Sequence, residues 1–268
     1  MSVYLIAECG STSDGSLGNA LEMVRLWAGY GADAVKFQDH RWEHVPVDQP
    51  HPNTRVRETR REYYERTSFM EFEWDQIAAA CRGYRVDLIV SPFSVEAANS
   101  HQERVSKFKV ASGQVTNEKL LARLSGLGKP VLLSTGMTTA DENQAAVAIL
   151  GNALECVLVC TSEYPCLPRH VGLNRLGSRT RFGLSDHTMG MAASLAAVAL
   201  GATVIERHVT PSRELYGSDA AHSLEPHEFQ AFERELRDLE EMLANPVDNA
   251  EAVKRMAKTR EVFLCAGE

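Results

Sequence analysis

The feature that most limits what this chain can fold into is a repeated alternation. Eight short runs of β-branched and aliphatic residues recur along its 268 residues, and nearly every one is followed by a stretch with helical periodicity. The runs are Val3–Ala7, Ala34–Phe37, Asp87–Val90, Phe108–Ala111, Val131–Leu133, Cys156–Val159 and the two apolar runs of the stretch Phe182–Thr210. Helices are expected over Leu17–Tyr30, Glu71–Arg82, a segment that Thr116 can cap and that runs to Gly126, and a segment opened by the capping box Thr139-Ala-Asp-Glu142 and closing near Gly151. Met189–Gly201 and Pro226–Leu243 follow, with Ala250–Thr259 as a further helical segment. Asp39 to Arg66, rich in charge, Pro and His, is the least regular part. A doubly wound open sheet would want fewer strands and a G-x-G-x-x-G turn after the first, and E-C-G-S-T-S-D-G is not one. The α/β fold expected is therefore a single-domain (β/α)8 TIM barrel over residues 1–245, with a C-terminal helix and connecting tail over 246–268.

Charge and cysteine usage narrow the partners. A formal net charge of −8 argues against nucleic acid or an anionic membrane as the main partner. No apolar run approaches transmembrane length, and M-S-V-Y-L-I-A-E enters a strand without a basic leader, so no signal peptide is expected. The six cysteines (Cys9, Cys81, Cys156, Cys160, Cys166 and Cys265) form no CxxC pair, which suits a reducing cytoplasm; Cys160 reads as a small buried hydrophobe in a strand. An acidic protein can still bind an anion if cations are placed locally. Arg55, Arg57, Arg60 and Arg61 read first as a solvated face, with a cationic lid over an anionic ligand as the alternative.

In a (β/α)8 barrel the active site collects at the C-terminal strand ends. Those ends carry Glu8, Lys36 and Gln38, Ser91, Lys109 and Ser112, Ser134 and Thr135, Ser162 and Tyr164, Ser185 and His187, and Glu206 and His208. Side chains alternate faces along a strand, so Ser185 shares a face with His187, and Glu206 with His208. Two neutral imidazoles converging beside carboxylates suit a divalent metal, against the plainer reading of two hydrogen-bonding loop histidines. Lys36 and Lys109 inside strands are costly unless an anion or carboxylate pairs with them. Either they bridge Glu8 and Glu206 internally, or they line a pocket for a phosphorylated or carboxylated small molecule.

Taken in order, I-A-E-C-G, A-D-A-V-K-F-Q, S-P-F, F-K-V-A-S-G, G-K-P-V-L-L-S-T-G-M, C-T-S-E-Y-P, G-L-S-D-H-T and E-R-H-V-T resemble the sialic acid (N-acetylneuraminate) synthase family, including legionaminate and pseudaminate synthases and spore-coat polysaccharide homologues, over residues 3 to 243. The resemblance implies a metal-dependent condensation of phosphoenolpyruvate with an aldose. The expected aldose is an N-acyl aminosugar such as N-acetylmannosamine, and the products are a nonulosonic α-keto acid and phosphate. It implies His187 and His208 as ligands of Mn2+, with Mg2+ or Co2+ as alternatives. Lys36, Lys109, Ser112, Ser134, Ser162 and Ser185 are implied around phosphoenolpyruvate, Glu8 at a water or proton, and Gln38, Tyr164 and Asp219 toward the sugar; Ser91 and Gln114 are added as substrate-binding candidates from their places after the third and fourth strands. A homodimer is implied as well.

Three departures stand out. Thr12-Ser13-Asp14-Gly15 lacks the histidine usual after the first strand, and Gln114 replaces an acidic residue. Family members also continue into a small antifreeze-like domain, whereas this chain stops at Glu268; the expectation is a shortened chain or a different acceptor. The rival activities are a metal-dependent aldolase using free pyruvate and a degenerate barrel that only binds sugar or phosphate.

Overall fold

The computed structural model describes residues 2–45, 49–51, 57–176 and 181–265. Eight parallel strands close into a barrel in chain order: β1 (Tyr4–Gly10), β2 (Ala34–Asp39), β3 (Asp87–Pro92), β4 (Lys107–Val110), β5 (Val131–Ser134), β6 (Leu154–Cys160), β7 (Phe182–Asp186) and β8 (Val204–His208). The helices are α1 (Leu17–Gly29), α2 (Arg60–Thr67), α3 (Glu71–Tyr84), α4 (Val95–His101), α5 (Glu118–Ser125), α6 (Ala140–Leu150), α7 (Ala192–Ala199), α8 (Pro226–Ala244), α9 (Asn249–Arg255) and α10 (Ala257–Cys265). The expected single-domain barrel is what forms.

Local chemistry accounts for the main boundaries. Ser16 caps α1 by accepting the Asn19 N–H, and Gly31, at φ +89°, makes the left-handed turn after it. The Thr139–Glu142 capping box opens α6. In α5 the cap is Asn117, one residue later than expected. Two helices were not foreseen. In α4 the seven residues V-E-A-A-N-S-H are too few to show a period. In α2 only Tyr63 is buried, so no apolar stripe announces it, and the T-R-R-E capping box at Thr59 is its one sequence signal. After β6 only short 3-10 turns, Pro168–His170 and Leu173–Arg175, are found among the described residues. The C-terminal helical segment is two helices rather than one, and Arg55 of the basic stretch lies outside the described residues. No helix among those described is long and apolar enough to cross a membrane.

The larger apolar core lies between strands and helices, with Trp27 of α1 edge-on to Phe229 of α8 at 5.3 Å between ring centroids. A smaller plug of Ile6, Ala34, Ile89, Leu132, Cys156, Leu158 and Val204 fills the barrel interior. Gly183 shares that interior because β7 passes too close to β8 for a side chain. A Cβ there would stand 2.2 Å from the Val204 carbonyl oxygen and 2.6 Å from Leu158 Cδ2. Gly183→Ala is expected to cost about 1–3 kcal/mol or more by overpacking, read as a lower midpoint in urea unfolding.

Candidate active site

Above the plug the interior turns ionic. Glu8 of β1, Lys36 of β2, Lys109 of β4, Ser185 of β7 and Glu206 of β8 meet inside the barrel, each 3% exposed or less. Lys36 Nζ lies 2.9 Å from Glu8 Oε2 and 3.6 Å from Glu206 Oε2. Lys109 Nζ is 3.1 Å from Glu206 Oε1, and Ser185 Oγ donates to the same oxygen at 2.7 Å. Lys36 also donates to Ser91 Oγ at 3.2 Å. The internal Lys–Glu bridges weighed from sequence are therefore present, two ammonium groups against two carboxylates.

The four charges are not equivalent. Burial would raise Glu206, but Lys109 and Lys36 outweigh it and hold the carboxyl far below the usual range. Burial wins at Glu8 and raises it despite Lys36. Burial works against the charged form of Lys36, yet Glu206 and Glu8 raise it; Lys109 comes out lowered by burial despite Glu206. Glu8 is thus the carboxylate readier to take a proton, and Lys109 the amine readier to give one.

Around this layer lies a ring of polar groups at the strand ends. Gln38 Nε2 donates to Glu8 Oε1 at 2.6 Å, and the Ser112 and Ser162 hydroxyls are 2.8 Å apart. Ser134 Oγ is buried without a partner. Gln114 sits in a 3-10 turn over Ser112–Gln114 and accepts from Asn117 Nδ2 at 2.9 Å. Asp219 arrives from the loop after β8, and its Oδ2 accepts from both the N–H and the hydroxyl of Ser11 at 2.9 Å. Burial would raise Asp219, but His208 and Ser11 lower it on balance. Gly10, at φ +49°, leaves room for this approach: a Cβ there would lie 2.3 Å from Asp219 Oδ2.

The two rim histidines converge, with ring centroids 5.4 Å apart, and Tyr164 packs on His187 at 4.2 Å. His187 Nδ1 is 2.8 Å from the Thr161 carbonyl oxygen, a contact that puts its proton on Nδ1 and leaves the Nε2 lone pair unused. His208 Nδ1 is buried without a partner, and burial lowers the ring's pKa, which keeps it neutral. Two converging imidazoles, one with its Nδ1 held by a carbonyl and the other with its Nδ1 unpartnered, suit a divalent ion. No group of three or more His, Cys, Asp or Glu able to hold a metal occurs among the described residues, so these two would be the protein's share of the coordination.

Beside these histidines opens a cavity of about 700 Å³, lined by Gln38, Ser112, Gln114, Tyr164, His208 and Asp219 among others. A profile described as the NeuB family matches residues 23–248. The chain belongs to the NeuB family. Human N-acetylneuraminate-9-phosphate synthase is 32% identical over 259 residues, which span 91% of this chain and 72% of the human protein. The N,N'-diacetyllegionaminic acid synthase of Campylobacter jejuni is 30% identical over 92% of the chain and 79% of its own length. Among solved structures, the N-acetylneuraminic acid synthetase of Leptospira borgpetersenii in complex with citrate superposes with TM-score 0.84 at 27% identity, covering 97% of this chain and 92% of that one. The protein is accordingly an enzyme, a phosphoenolpyruvate-dependent transferase of the sialic acid synthase type that forms a C–C bond.

The NeuB-family site also contains residues that strand-end reading passed over. His40 is stacked between Tyr64 (3.9 Å, 10°) and Phe93 (3.8 Å, 24°), and its Nε2 is 2.8 Å from Gln38 Oε1. Burial, with Arg60 nearby, pushes His40 down to about 3, so it is a neutral donor that fixes the orientation of Gln38 and hence its bond to Glu8. His40 lies two residues beyond Gln38, the same inward parity continued past the strand, and that was the available signal. Cys160 is buried as expected but is not in apolar surroundings: its Sγ is 3.9 Å from His187 Nδ1 and 3.7 Å from Ser162 Oγ. Burial raises its pKa, yet His187 and Lys109 bring it below the usual thiol range.

Proposed function

We propose that this enzyme condenses phosphoenolpyruvate with the open-chain aldehyde of an N-acyl aminosugar, N-acetylmannosamine or a relative, giving a nonulosonic-type α-keto acid and inorganic phosphate. The observation that carries this reading is the buried quartet of Glu8, Lys36, Lys109 and Glu206 beneath two converging imidazoles. A carboxylate and a phosphate on one small molecule find ammonium groups and hydroxyls in that layer, and the aldehyde oxygen finds the histidines above it.

A divalent ion held by His187 and His208, Mn2+ in first place with Mg2+ or Co2+ as alternatives, supplies Lewis acidity at the aldehyde oxygen when bound. The protein's own groups do the rest. Lys36 and Lys109, with Ser91, Ser112, Ser134, Ser162 and Ser185, hold phosphoenolpyruvate so that its C3 faces the aldehyde carbon. C–C bond formation leaves cationic character at C2, which Glu8 and Glu206 face. Water adds there, and Glu8, raised toward the protonated form and oriented by Gln38, handles the water's proton. The tetrahedral intermediate then expels phosphate. Gln38, Gln114, Tyr164 and Asp219 contact the sugar. The reading carries with it a cytoplasmic homodimer, to be checked by light scattering, with residues 1–245 as the synthase barrel and 246–268 as a connecting tail.

The test is incubation with phosphoenolpyruvate, Mn2+ and a panel of aldoses and N-acyl aminosugars, following phosphate and the condensed acid by mass spectrometry. Aldose-dependent phosphate with a new keto acid is expected, whereas an aldolase would take free pyruvate and release none. Absence of turnover together with absence of phosphoenolpyruvate and metal binding would sink the reading.

A further inference from the structure

The end of β2 carries two residues of the site, yet its own ladder holds it weakly. Gln38 donates to Glu8, and His40 orients Gln38. Pairing with β1 stops at Phe37, opposite Gly10, so the last two residues of β2 pair with β3 alone. There Asp39 stands opposite Pro92, which has no N–H to give. The next backbone bond runs from the Phe93 N–H to the Asp39 carbonyl at 3.0 Å, and beyond His40 the chain leaves the barrel for a 3-10 turn over Trp42–His44.

The side chain of Asp39 supplies what the ladder lacks. It alternates with Gln38 and His40 and so points outward, into the helical layer. His101, the last residue of α4 and fully buried, has its Nε2 2.9 Å from Asp39 Oδ2. A carboxylate can only accept, so Nε2 carries the proton. Trp74 of α3 stands edge-on to this imidazole at 4.5 Å between centroids. Arg41 Nε lies 3.0 Å from the same carboxylate oxygen, and its Nη2 reaches Glu71 of α3 at 3.1 Å and Ser100 of α4 at 2.6 Å. Burial would raise Asp39, but His101 and Arg41 bring it below the usual carboxylate range. His101 Nδ1 is buried with no hydrogen-bond partner among the described residues. An unpaired buried nitrogen is unfavourable, and a phenylalanine would fill the place beside Trp74 without that cost. The bond to Asp39, not packing, therefore accounts for a histidine here.

We propose that His101 is a positioning residue for the proton-handling step: through Asp39 it fixes the end of β2 and so keeps Gln38 on the Glu8 carboxyl. This rests on the synthase reading, in which Glu8 handles the water's proton. His101 is not among the residues lining the cavity and acts only through its neighbours. Because side chains alternate, any shift of Asp39 carries both inward residues with it, and the 2.6 Å bond from Gln38 to Glu8 does not survive a displacement of about an ångström.

The test uses the full chain with the substrates that the synthase assay identifies. His101→Phe keeps a ring beside Trp74 and removes the donor, whereas His101→Gln returns an N–H near the place of Nε2. In His101→Phe, kcat is expected to fall roughly tenfold or more, with KM for phosphoenolpyruvate and for the aldose within about twofold of wild type. His101→Gln should recover most of that loss. His101→Phe combined with Asp39→Leu leaves neither polar group buried alone; it should be as slow, and it serves if the single variant does not fold. A Gln38→Ala background separates positioning from general loosening. There His101→Phe should cost less than about twofold in kcat, because the contact it supports is already gone. Unchanged kcat in His101→Phe, a glutamine variant as slow as the phenylalanine one, or an equal loss with and without Gln38 overturns the proposal. Should no aldose turn over, amide hydrogen exchange decides separately from the synthase reading. Faster exchange over residues 34–41 in His101→Phe, restored in His101→Gln, sustains His101 as the anchor of Gln38 and His40, and unchanged exchange there ends it.

Discussion

Lys109→Met is expected to lower kcat/KM for the condensation about a thousandfold, roughly 4 kcal/mol of transition-state stabilisation, measured as phosphate release with saturating metal. Lys109 is almost fully buried on β4, and its ammonium lies 3.1 Å from Glu206. Methionine keeps the length and packing of the stem but removes the charge from the floor of the cavity, where the phosphate or carboxylate of phosphoenolpyruvate would sit. The same change unbalances the quartet, leaving Glu8 and Glu206 with only Lys36, so some of the loss has a structural source. A second variant separates the two. In Lys109→Met with Glu206→Gln, Lys36 and Glu8 remain as a one-to-one pair at 2.9 Å, and thermal stability should recover relative to the single variant. Turnover should stay low. If activity returns with stability, Lys109 merely neutralises Glu206, and its role toward phosphoenolpyruvate is wrong.

Much of this arrangement was legible in the chain. Alternation along β7 and β8 puts Ser185 with His187 and Glu206 with His208, and register pairing Ser185 with Glu206 then brings both histidines to one end. The lysines inside β2 and β4 announce themselves because an aliphatic run has no other use for them. What was not legible depends on long-range closure. Glu206 serves both lysines only because β8 pairs with β1 and the barrel closes, a contact 97 residues apart for Lys109. Asp219 reaches Ser11 because the loop after β8 folds over β1, passing a glycine whose conformation no local pattern fixes. Helix α2 hid because its stability comes from capping and ion pairs rather than an apolar stripe, so Arg60 could be singled out as a basic residue but not placed on a helix.

The same alternation held a consequence for the outer face. Asp186 and Arg207 each precede one of the rim histidines and so point away from the barrel interior, toward α7 and α8. Arg207 is 2% exposed; its Nη1 donates to Asp186 Oδ2 and to the Gly190 carbonyl at 2.6 Å, and its Nη2 to the Thr188 carbonyl at 2.7 Å. Asp186 in turn accepts from the Thr188 N–H at 2.8 Å and the Ser194 hydroxyl at 2.6 Å. One buried ion pair therefore ties β8 to β7 and closes the turn that carries His187. Arg207→Met would leave a buried carboxylate without its counter-ion and the Thr188 carbonyl without its guanidinium donor, while the Gly190 carbonyl would keep only the Thr188 hydroxyl at 3.2 Å. We expect a loss of about 3–5 kcal/mol, which for a chain of this size is a fall in Tm of roughly 10 °C or more by calorimetry. Asp186→Ala combined with Arg207→Met removes both charges and should recover part of that loss, because the penalty lies in the unpaired ion rather than in the absence of the bridge. If the bridge also positions His187, the double variant will regain stability while metal-dependent turnover, assayed well below its Tm, stays reduced. Full recovery of both would confine Arg207 and Asp186 to holding the barrel together.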